Sequence, residues 1–262
     1  MSREVKVNGV RLNFVVEGAG APLYLLHGGM ESRKSFERQI PAFAQHFTVV
    51  ALDSREQGQS GPSDEPVSYE LMARDVFALA EHLGHERISI VGSSDGAITA
   101  LTLAMQSPEL IERLVLLGAS FHVDAYPDGM REFIRDYEWD GSTEPTGYPG
   151  VFLEHYLTGH ENLDGFGALL TKMAALWTSS PTYSKADLLK VEAPVLVING
   201  DREDTALWHV LELYEGLPDA RLFVVPEGTH YVLQEQPELV NDVALAFLAP
   251  PLERDGAGTR TE

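Results

Sequence analysis

The chain has 262 residues and carries 40 acidic against 19 basic side chains, a formal net charge of −21. This charge disfavours nucleic acid and anionic membrane surfaces as partners, because both repel an acidic protein. The absence of cysteine excludes disulfides and thiolate metal sites. With 44% hydrophobic residues, the composition is that of a globular protein long enough for one large domain.

The N-terminal segment, MSREVKVNG, is charged and lacks the apolar region of a secretion signal. No apolar run approaches the length of a membrane-spanning helix. We therefore expect a cytoplasmic protein.

The predicted elements begin with a hairpin, because two short strand-like segments flank Asn8-Gly9, a dipeptide favoured in tight hairpin turns. The apolar run APLYLLHGG then predicts a buried parallel strand, and FTVVALD predicts another. Residues 33–46, between these two runs, have helical spacing.

The next predicted helix has signals at both ends, since Ser68 is a suitable N-cap and Gly84 a suitable stop. After it, RISIVG predicts a strand, DGAITALTLAMQ a helix and IERLVLLGA a strand.

The alternation of strands and helices stops at residue 119. Residues 119–190 contain no strand-like run, and their helical segments are rich in aromatic side chains. The alternation then resumes with the strand APVLVING, a helix from about Leu207 to Gly216, the strand ARLFVVP and a final helix in QPELVNDVALAFL.

This order of elements predicts an α/β fold, a mostly parallel eight-stranded sheet with helices on both faces. Residues 1–118 and 191–250 form the predicted core. Residues 119–190 form a helical cap, inserted after the sixth strand at one edge of the sheet. Residues 251–262 are polar, contain proline and glycine, and are predicted to be a disordered tail.

The segment Gly92-Ser93-Ser94-Asp95-Gly96 matches G-x-S-x-G between a predicted strand and a predicted helix, the context that this motif requires. Side chains at positions 92 and 96 would clash in so sharp a turn. Ser94 then projects from the tip of the turn while Ser93 packs, which makes Ser94 the candidate nucleophile.

A serine hydroxyl needs a base to remove its proton. The segment VPEGTHYV places His230 in a loop between the last strand and the final helix, and the other eight histidines offer no position as good. His155 and His160, for example, lack the spacing of a zinc-binding helix. His230 is therefore the candidate base.

The base in turn needs a carboxylate that fixes its tautomer and stabilises the imidazolium. Three acids follow the seventh predicted strand: Asp201, Glu203 and Asp204. Any of them gives the chain order serine, acid, histidine.

The oxyanion of an acyl-transfer reaction needs backbone N–H donors. The amide of Asp95, at the start of the helix after Ser94, is one candidate. The second comes from HGGM, where Gly29 is preferred and Met30 is the alternative.

With these pieces the chain resembles the α/β-hydrolase superfamily over residues 4–248. The matching segments are LLHGG, VVALDSREQGQSG, IVGSSDGAITAL, VLVINGDRED and GTHYV. Within the superfamily it resembles the small capped serine esterases, and SDGAITAL is similar to the valacyclovir hydrolase-like proteins. The resemblance implies a Ser–acid–His hydrolase of small molecules, with a helical cap and no cofactor or metal.

Two departures from the family pattern matter. Glu56 stands where DSREQGQS should have a glycine. The family's acid usually sits three residues after the glycine that ends the seventh strand, here Gly200. That position holds Glu203, and Asp204 has the usual side chain one residue later, so Glu203 is favoured and Asp204 stays open.

We interpret the chain as a serine hydrolase of carboxylic esters or lactones, monomeric or homodimeric, that forms an acyl-enzyme. Superfamily members with an aspartate nucleophile, such as epoxide hydrolases, are disfavoured by Ser94. Enol-lactonase, carbon–carbon hydrolase and perhydrolase activities use the same triad and stay open. A ligand sensor with little turnover is the non-enzymatic alternative.

The side chain of Asp95 has two interpretations. An acid in the first turn of a helix interacts favourably with the helix dipole, by roughly 0.3–1 kcal/mol. Alternatively, the carboxylate faces the acyl pocket and attracts a cationic group, as the resemblance to valacyclovir hydrolase-like proteins suggests. The first interpretation is favoured.

Overall fold

The computed structural model describes residues 2–127, 129–142, 148–160 and 163–249. Its sheet has eight strands in the order β1-β2-β4-β3-β5-β6-β7-β8. The strands are β1 (Arg3–Val7), β2 (Val10–Glu17), β3 (Ala21–Leu26), β4 (Phe47–Leu52), β5 (Ile88–Ser93), β6 (Ile111–Leu117), β7 (Val195–Gly200) and β8 (Ala220–Val225). Only β2 with β1 and β2 with β4 pair antiparallel, which confirms the predicted, mostly parallel sheet.

The helices pack on both faces of the sheet and above its carboxyl edge. They are α1 (Ile40–Phe43), α2 (Tyr69–Leu83), α3 (Asp95–Gln106), α4 (Met130–Asp136), α5 (Tyr148–Gly159), α6 (Phe166–Ser179), α7 (Lys185–Leu188), α8 (Leu207–Gly216), α9 (Val232–Glu235) and α10 (Pro237–Leu248). One buried cluster joins the strands to α2, α3 and α8, and a second joins them to α1 and α10.

Local signals in the sequence account for the hairpin and for α2. Asn8 and Gly9 both have positive φ, 42° and 78°, as a tight hairpin turn between β1 and β2 requires. The Ser68 side chain accepts the N–H of Leu71, and Gly84 ends the helix in the left-handed conformation.

The helix predicted over residues 33–46 is wrong as a continuous element. The structure has a 3₁₀ turn, Arg33–Phe36, and then the short helix α1. Pro41 lies in the first turn of α1. Proline has no N–H and its ring clashes with the carbonyl four residues earlier, so a helix can begin here but cannot run through.

Helices α4 to α7 lie between β6 and β7, where the sequence predicts a cap. Their apolar side chains form a third buried cluster with the loop after β3 and with α3, through residues such as Met30 and Ile98. Both of those segments follow the carboxyl ends of parallel strands, so the inserted helices cover that edge of the sheet. The exact domain boundaries stay a prediction, and the predicted tail, residues 251–262, lies outside the described residues.

Within the ranges that the structure describes, no helix has both the length and the apolar character needed to cross a membrane.

A buried ion pair fixes the loop after β4. The guanidinium of Arg55, fully buried, donates from Nε and Nη2 to the two carboxylate oxygens of Asp75 at 2.7 and 2.8 Å. Asn8 also donates to Asp75, at 3.0 Å. The pair therefore joins this loop to α2 and to the first hairpin.

Replacing Asp75 by Asn should lower the free energy of unfolding by about 3–5 kcal/mol, because Arg55 would remain buried without a counter-charge. Denaturant titration at neutral pH measures this loss. Glu112→Gln is the control, since Glu112 pairs with Arg87 at an exposed site, and its cost should stay at or below about 1 kcal/mol. Equal losses in the two variants would contradict the role assigned to the buried pair.

Candidate active site

Ser94 occupies the reversal between β5 and α3 with φ 51° and ψ −118°. A positive φ costs a non-glycine residue of order 1–3 kcal/mol, so surrounding packing must hold it. A Cβ on Gly92 would lie 2.5 Å from the carbonyl oxygen of Gly96, which leaves room only for glycine. Ser93 is buried, whereas Ser94 reaches a pocket.

His230 and Glu203 lie beside Ser94 in one line of contacts. The Ser94 Oγ is 2.9 Å from His230 Nε2, and His230 Nδ1 is 2.5 Å from Glu203 Oε1. The loop after β8 carries His230 and the loop after β7 carries Glu203. In this arrangement Nδ1–H donates to the carboxylate and Nε2 accepts from the serine hydroxyl, which is the geometry of a nucleophile and its base.

The other two candidate acids lie differently. Asp204 is exposed and lines the pocket, while Asp201 is exposed and lies 3.8 Å from the guanidinium of Arg202. Of the three acids after β7, the structure brings Glu203 into hydrogen-bond contact with His230. Its side chain is only 2% exposed, so the longer glutamate reaches the imidazole from a desolvated position.

Burial and nearby charges act in opposite directions on His230. Burial alone would lower the pKa of this imidazole, because it disfavours the charged form. The negative charge and hydrogen bond of Glu203, with further attraction from Glu31 and Asp204, outweigh burial and raise the pKa to about 9. The site therefore favours the protonated, imidazolium form of His230.

The loop after β3 presents Gly29 to the pocket. The N–H of the preceding Gly28 is taken by Glu31 Oε2, at 3.1 Å. Met30 is fully buried among cap side chains. Asp95 is the first residue of α3, where a backbone N–H has no acceptor within the helix. The amides of Gly29 and Asp95 thus stay the predicted oxyanion donors, ahead of Met30.

The Asp95 carboxylate is 3% exposed and is held by two neutral donors. It accepts the Tyr69 hydroxyl at 2.8 Å, and Trp177 Nε1 lies 3.0 and 2.8 Å from its two oxygens. Burial raises the pKa of Asp95, and these hydrogen bonds oppose the rise. The residue lies in the first turn of α3, as the helix-dipole interpretation requires. No pattern in the sequence indicates Tyr69 or Trp177 as partners of its carboxylate.

Trp177, from α6, also packs against the loop that carries Gly29. A Cβ on Gly29 would lie 2.5 Å from the indole ring of Trp177. The cap therefore contacts both segments from which oxyanion donors are predicted.

The pocket in front of Ser94 lies between the sheet edge and the cap. One wall is apolar, formed by Ile98, Met130, Ile134, Phe152 and Trp177. Only some of the aromatic residues of the cap line the pocket. Tyr156 and Phe166 are not among the lining residues and pack within the buried cap cluster.

Glu31 and His155 also line this pocket, and neither is among the site residues predicted from the sequence. Glu31 directly follows HGGM, a position that could have indicated it. His155 lies on α5, far along the chain, and only the fold brings it to Glu31.

Glu56, which replaces the family glycine, adopts the left-handed conformation with φ 64°. Its Oε2 lies 2.5 Å from Nζ of Lys172 on α6. The substitution thus adds an ion pair between the loop after β4 and the cap.

In the described part of the chain, no three histidine, aspartate or glutamate side chains group closely enough to hold a metal ion.

Comparison with known proteins identifies the family. The sequence profile of the alpha/beta hydrolase fold matches residues 21–144. Human serine hydrolase BPHL is 30% identical over 259 residues, covering 94% of this chain and 86% of that protein. This chain belongs to the α/β-hydrolase superfamily. The suspected resemblance is thereby confirmed.

Other members of the superfamily are nearly as similar to this α/β hydrolase. The soluble epoxide hydrolase of Corynebacterium sp. strain C12 is 27% identical, over 94% of this chain and 96% of that one. A solved structure of Est816, described as an N-acyl homoserine lactone degrading enzyme, has a TM-score of 0.80 at 22% identity, covering 94% of this chain and all of that one. At that identity the likeness shows the fold alone.

Comparing Glu203→Gln with Asp204→Asn should identify the acid. Glu203→Gln should lower kcat for ester hydrolysis by about 10³–10⁴, because the imidazole loses the group that fixes its tautomer. Asp204→Asn removes an exposed charge and should change kcat little. A larger loss in Asp204→Asn than in Glu203→Gln would contradict the assignment.

The pH dependence of kcat/KM follows from the raised pKa of His230. The imidazole can act as a base only when neutral, so kcat/KM should rise with pH and level off above about 9. Residual activity of Glu203→Gln should level off at a lower pH, because removing the carboxylate removes the main cause of the raised pKa. An inflection at the same pH in both proteins would show that another group controls it.

Proposed function

We propose that this α/β hydrolase cleaves carboxylic esters or lactones through an acyl-enzyme on Ser94. The observation that carries the proposal is the line of contacts from Ser94 Oγ through His230 to Glu203, with distances of 2.9 and 2.5 Å. A serine so placed, beside an apolar pocket, is the arrangement that acyl transfer needs.

Acylation uses each of these groups once. Ser94 Oγ attacks the ester carbonyl carbon while its proton moves to His230 Nε2. The carbonyl electrons move to the oxygen, and the amides of Gly29 and Asp95 stabilise the resulting oxyanion. Collapse of this intermediate breaks the bond to the alkoxy oxygen, which receives the proton from His230 and leaves as the alcohol.

Deacylation repeats the sequence with water. The water oxygen attacks the acyl carbon while His230 takes a proton from the water. The second oxyanion collapses, the bond to Ser94 Oγ breaks, and the proton returns from His230 to the serine. The carboxylic acid product then leaves the pocket. In acylation and in deacylation, the charge of Glu203 stabilises the imidazolium of His230.

An aspartate nucleophile, as in an epoxide hydrolase, is disfavoured by the position of Asp95. Its carboxylate is bound by Tyr69 and Trp177 rather than directed at the base, whereas Ser94 contacts His230. Carbon–carbon hydrolases of acidic substrates are disfavoured by charge. The described residues that line the pocket include the carboxylates of Glu31 and Asp204 and neither lysine nor arginine.

Hydrolysis of a panel of p-nitrophenyl esters tests the proposal. Ser94→Ala should lower kcat by about 10⁴–10⁶ without changing the free energy of unfolding noticeably, because the hydroxyl carries chemistry and little packing. His230→Ala should cost a similar factor, since the two groups act together. If Ser94→Ala kept more than a tenth of the wild-type activity, the assignment of Ser94 as the nucleophile would be wrong.

The same assay separates an enzyme from a ligand sensor. The proposed enzyme should complete many turnovers per chain. One rapid release of p-nitrophenol, with no steady rate after it, would favour a sensor that is acylated but does not turn over.

A further inference from the structure

The pocket contains a second carboxylate–imidazole pair besides Glu203 and His230. Nδ1 of His155 lies 3.3 Å from Glu31 Oε1, and the two side chains are 23% and 6% exposed. The corresponding values for His230 and Glu203 are 25% and 2%. Both pairs line the same pocket, but no serine among the described residues makes a hydrogen bond to the imidazole of His155 as Ser94 does to that of His230.

The orientation of His155 follows from its neighbour. Glu31 accepts the N–H of Gly28 with one carboxylate oxygen and turns the other towards Nδ1. Glu31 Oε1 lies at ion-pair distance from Nδ1, and its negative charge favours the tautomer with the hydrogen on Nδ1 over the tautomer that turns a nitrogen lone pair towards it. Nε2 is then a hydrogen-bond acceptor, and none of the described residues makes a hydrogen bond to it.

The position of His155 relates it to the leaving group. His230 gives its proton to the leaving oxygen, so the alcohol portion of the substrate must lie beside His230. Tyr231 packs edge-on against both imidazoles, with ring centroids 5.5 Å from His230 and 4.8 Å from His155. Tyr231 therefore contacts both imidazoles, and a leaving group that extends along Tyr231 from His230 would approach His155.

We propose that His155, oriented by Glu31, is a specificity-determining residue that accepts a hydrogen bond from a hydroxyl group on the leaving alcohol. The substrates it favours are monoesters of diols or polyols with an apolar acyl group. The apolar wall formed by Ile98, Phe152 and Trp177 suits that acyl group. The inference rests on the proposed ester hydrolysis and adds the class of alcohol.

Charge in the pocket supports a neutral donor group. Glu31 and Asp204 both line the pocket, and no lysine or arginine is among its described lining residues. A carboxylate on the leaving group would be repelled at Glu31. A hydroxyl can donate to His155 without bringing a negative charge to this wall.

Three butanoate esters test the proposal: 2-hydroxyethyl, 2-methoxyethyl and propyl. The first two withdraw electrons alike, but only the hydroxyethyl ester can donate a hydrogen bond. Wild type should prefer it over the methoxyethyl ester by about fivefold in kcat/KM, the size expected of one hydrogen bond, mostly through KM. The propyl ester reports hydrolysis that does not depend on the subsite.

His155→Phe keeps a ring and removes both nitrogens, so the ratio of the two kcat/KM values should fall to about one. Phe152→Leu is the matched control on the same helix α5. It should change both rates and leave their ratio as in wild type. A wild-type ratio near one, or a ratio that survives in His155→Phe, would overturn the proposal.

Glu31→Gln is the second variant, in case His155→Phe does not fold. The amide oxygen can still accept from Gly28, and its NH₂ then faces Nδ1 and moves the ring hydrogen to Nε2. Nε2 then donates a hydrogen bond, so the ratio of kcat/KM for the hydroxyethyl ester to kcat/KM for the methoxyethyl ester should fall. An unchanged ratio would contradict the assigned orientation of His155.

The propyl ester separates the two proposals. If all three esters are hydrolysed in a Ser94-dependent way without a preference for the hydroxyl group, the proposed subsite is wrong and the proposed ester hydrolysis stands. No Ser94-dependent turnover of any of them removes the proposed function, and the subsite with it.

Discussion

Ser94 holds its backbone at φ 51°, because the chain must reverse between β5 and α3 within a single residue. The reversal is possible only where neighbouring backbone comes close. Gly92 faces the carbonyl of Gly96, and Gly96 in turn lies against the backbone at Leu26, the end of β3. The Ser94 N–H is fixed as well, by the carbonyl of Leu117 at 2.8 Å. Packing of adjacent parallel strands thus holds a strained residue in place and brings the loop that carries Gly29 beside it.

Buried carboxylates surround this turn, and each is bound without lysine or arginine. Asp95 is bound by a phenol and an indole, Glu31 by an amide and an imidazole, and Glu203 by the imidazole of His230. No lysine or arginine among the described residues that line the pocket offsets the carboxylates there. This explains the raised pKa of His230, and it favours neutral substrates over anionic ones.

The sequence was enough to predict the fold and to single out Ser94 and His230 as candidates, because those signals are local: turn glycines, caps and apolar runs that end in small residues. It favoured Glu203 over Asp204 only narrowly, and the loop geometry after β7 separates them. The helix predicted over residues 33–46 is wrong because it runs through Pro41, and proline in a helix interior is a local signal against a continuous helix. The contacts of Asp95 with Trp177 and of Glu31 with His155 could not be predicted. They join the core to the cap, and no local sequence pattern specifies how the cap packs on the core.

Labelling with a phosphonate ester tests most directly whether the strained serine is the nucleophile. Such a compound transfers its phosphorus to an activated hydroxyl and stops there, so peptide mass spectrometry can locate the adduct. We expect one adduct per chain on Ser94, none on Ser93, and none when His230 is replaced by alanine. An adduct on Ser93, or ester hydrolysis that continues in fully labelled protein, would contradict an acyl-enzyme on Ser94.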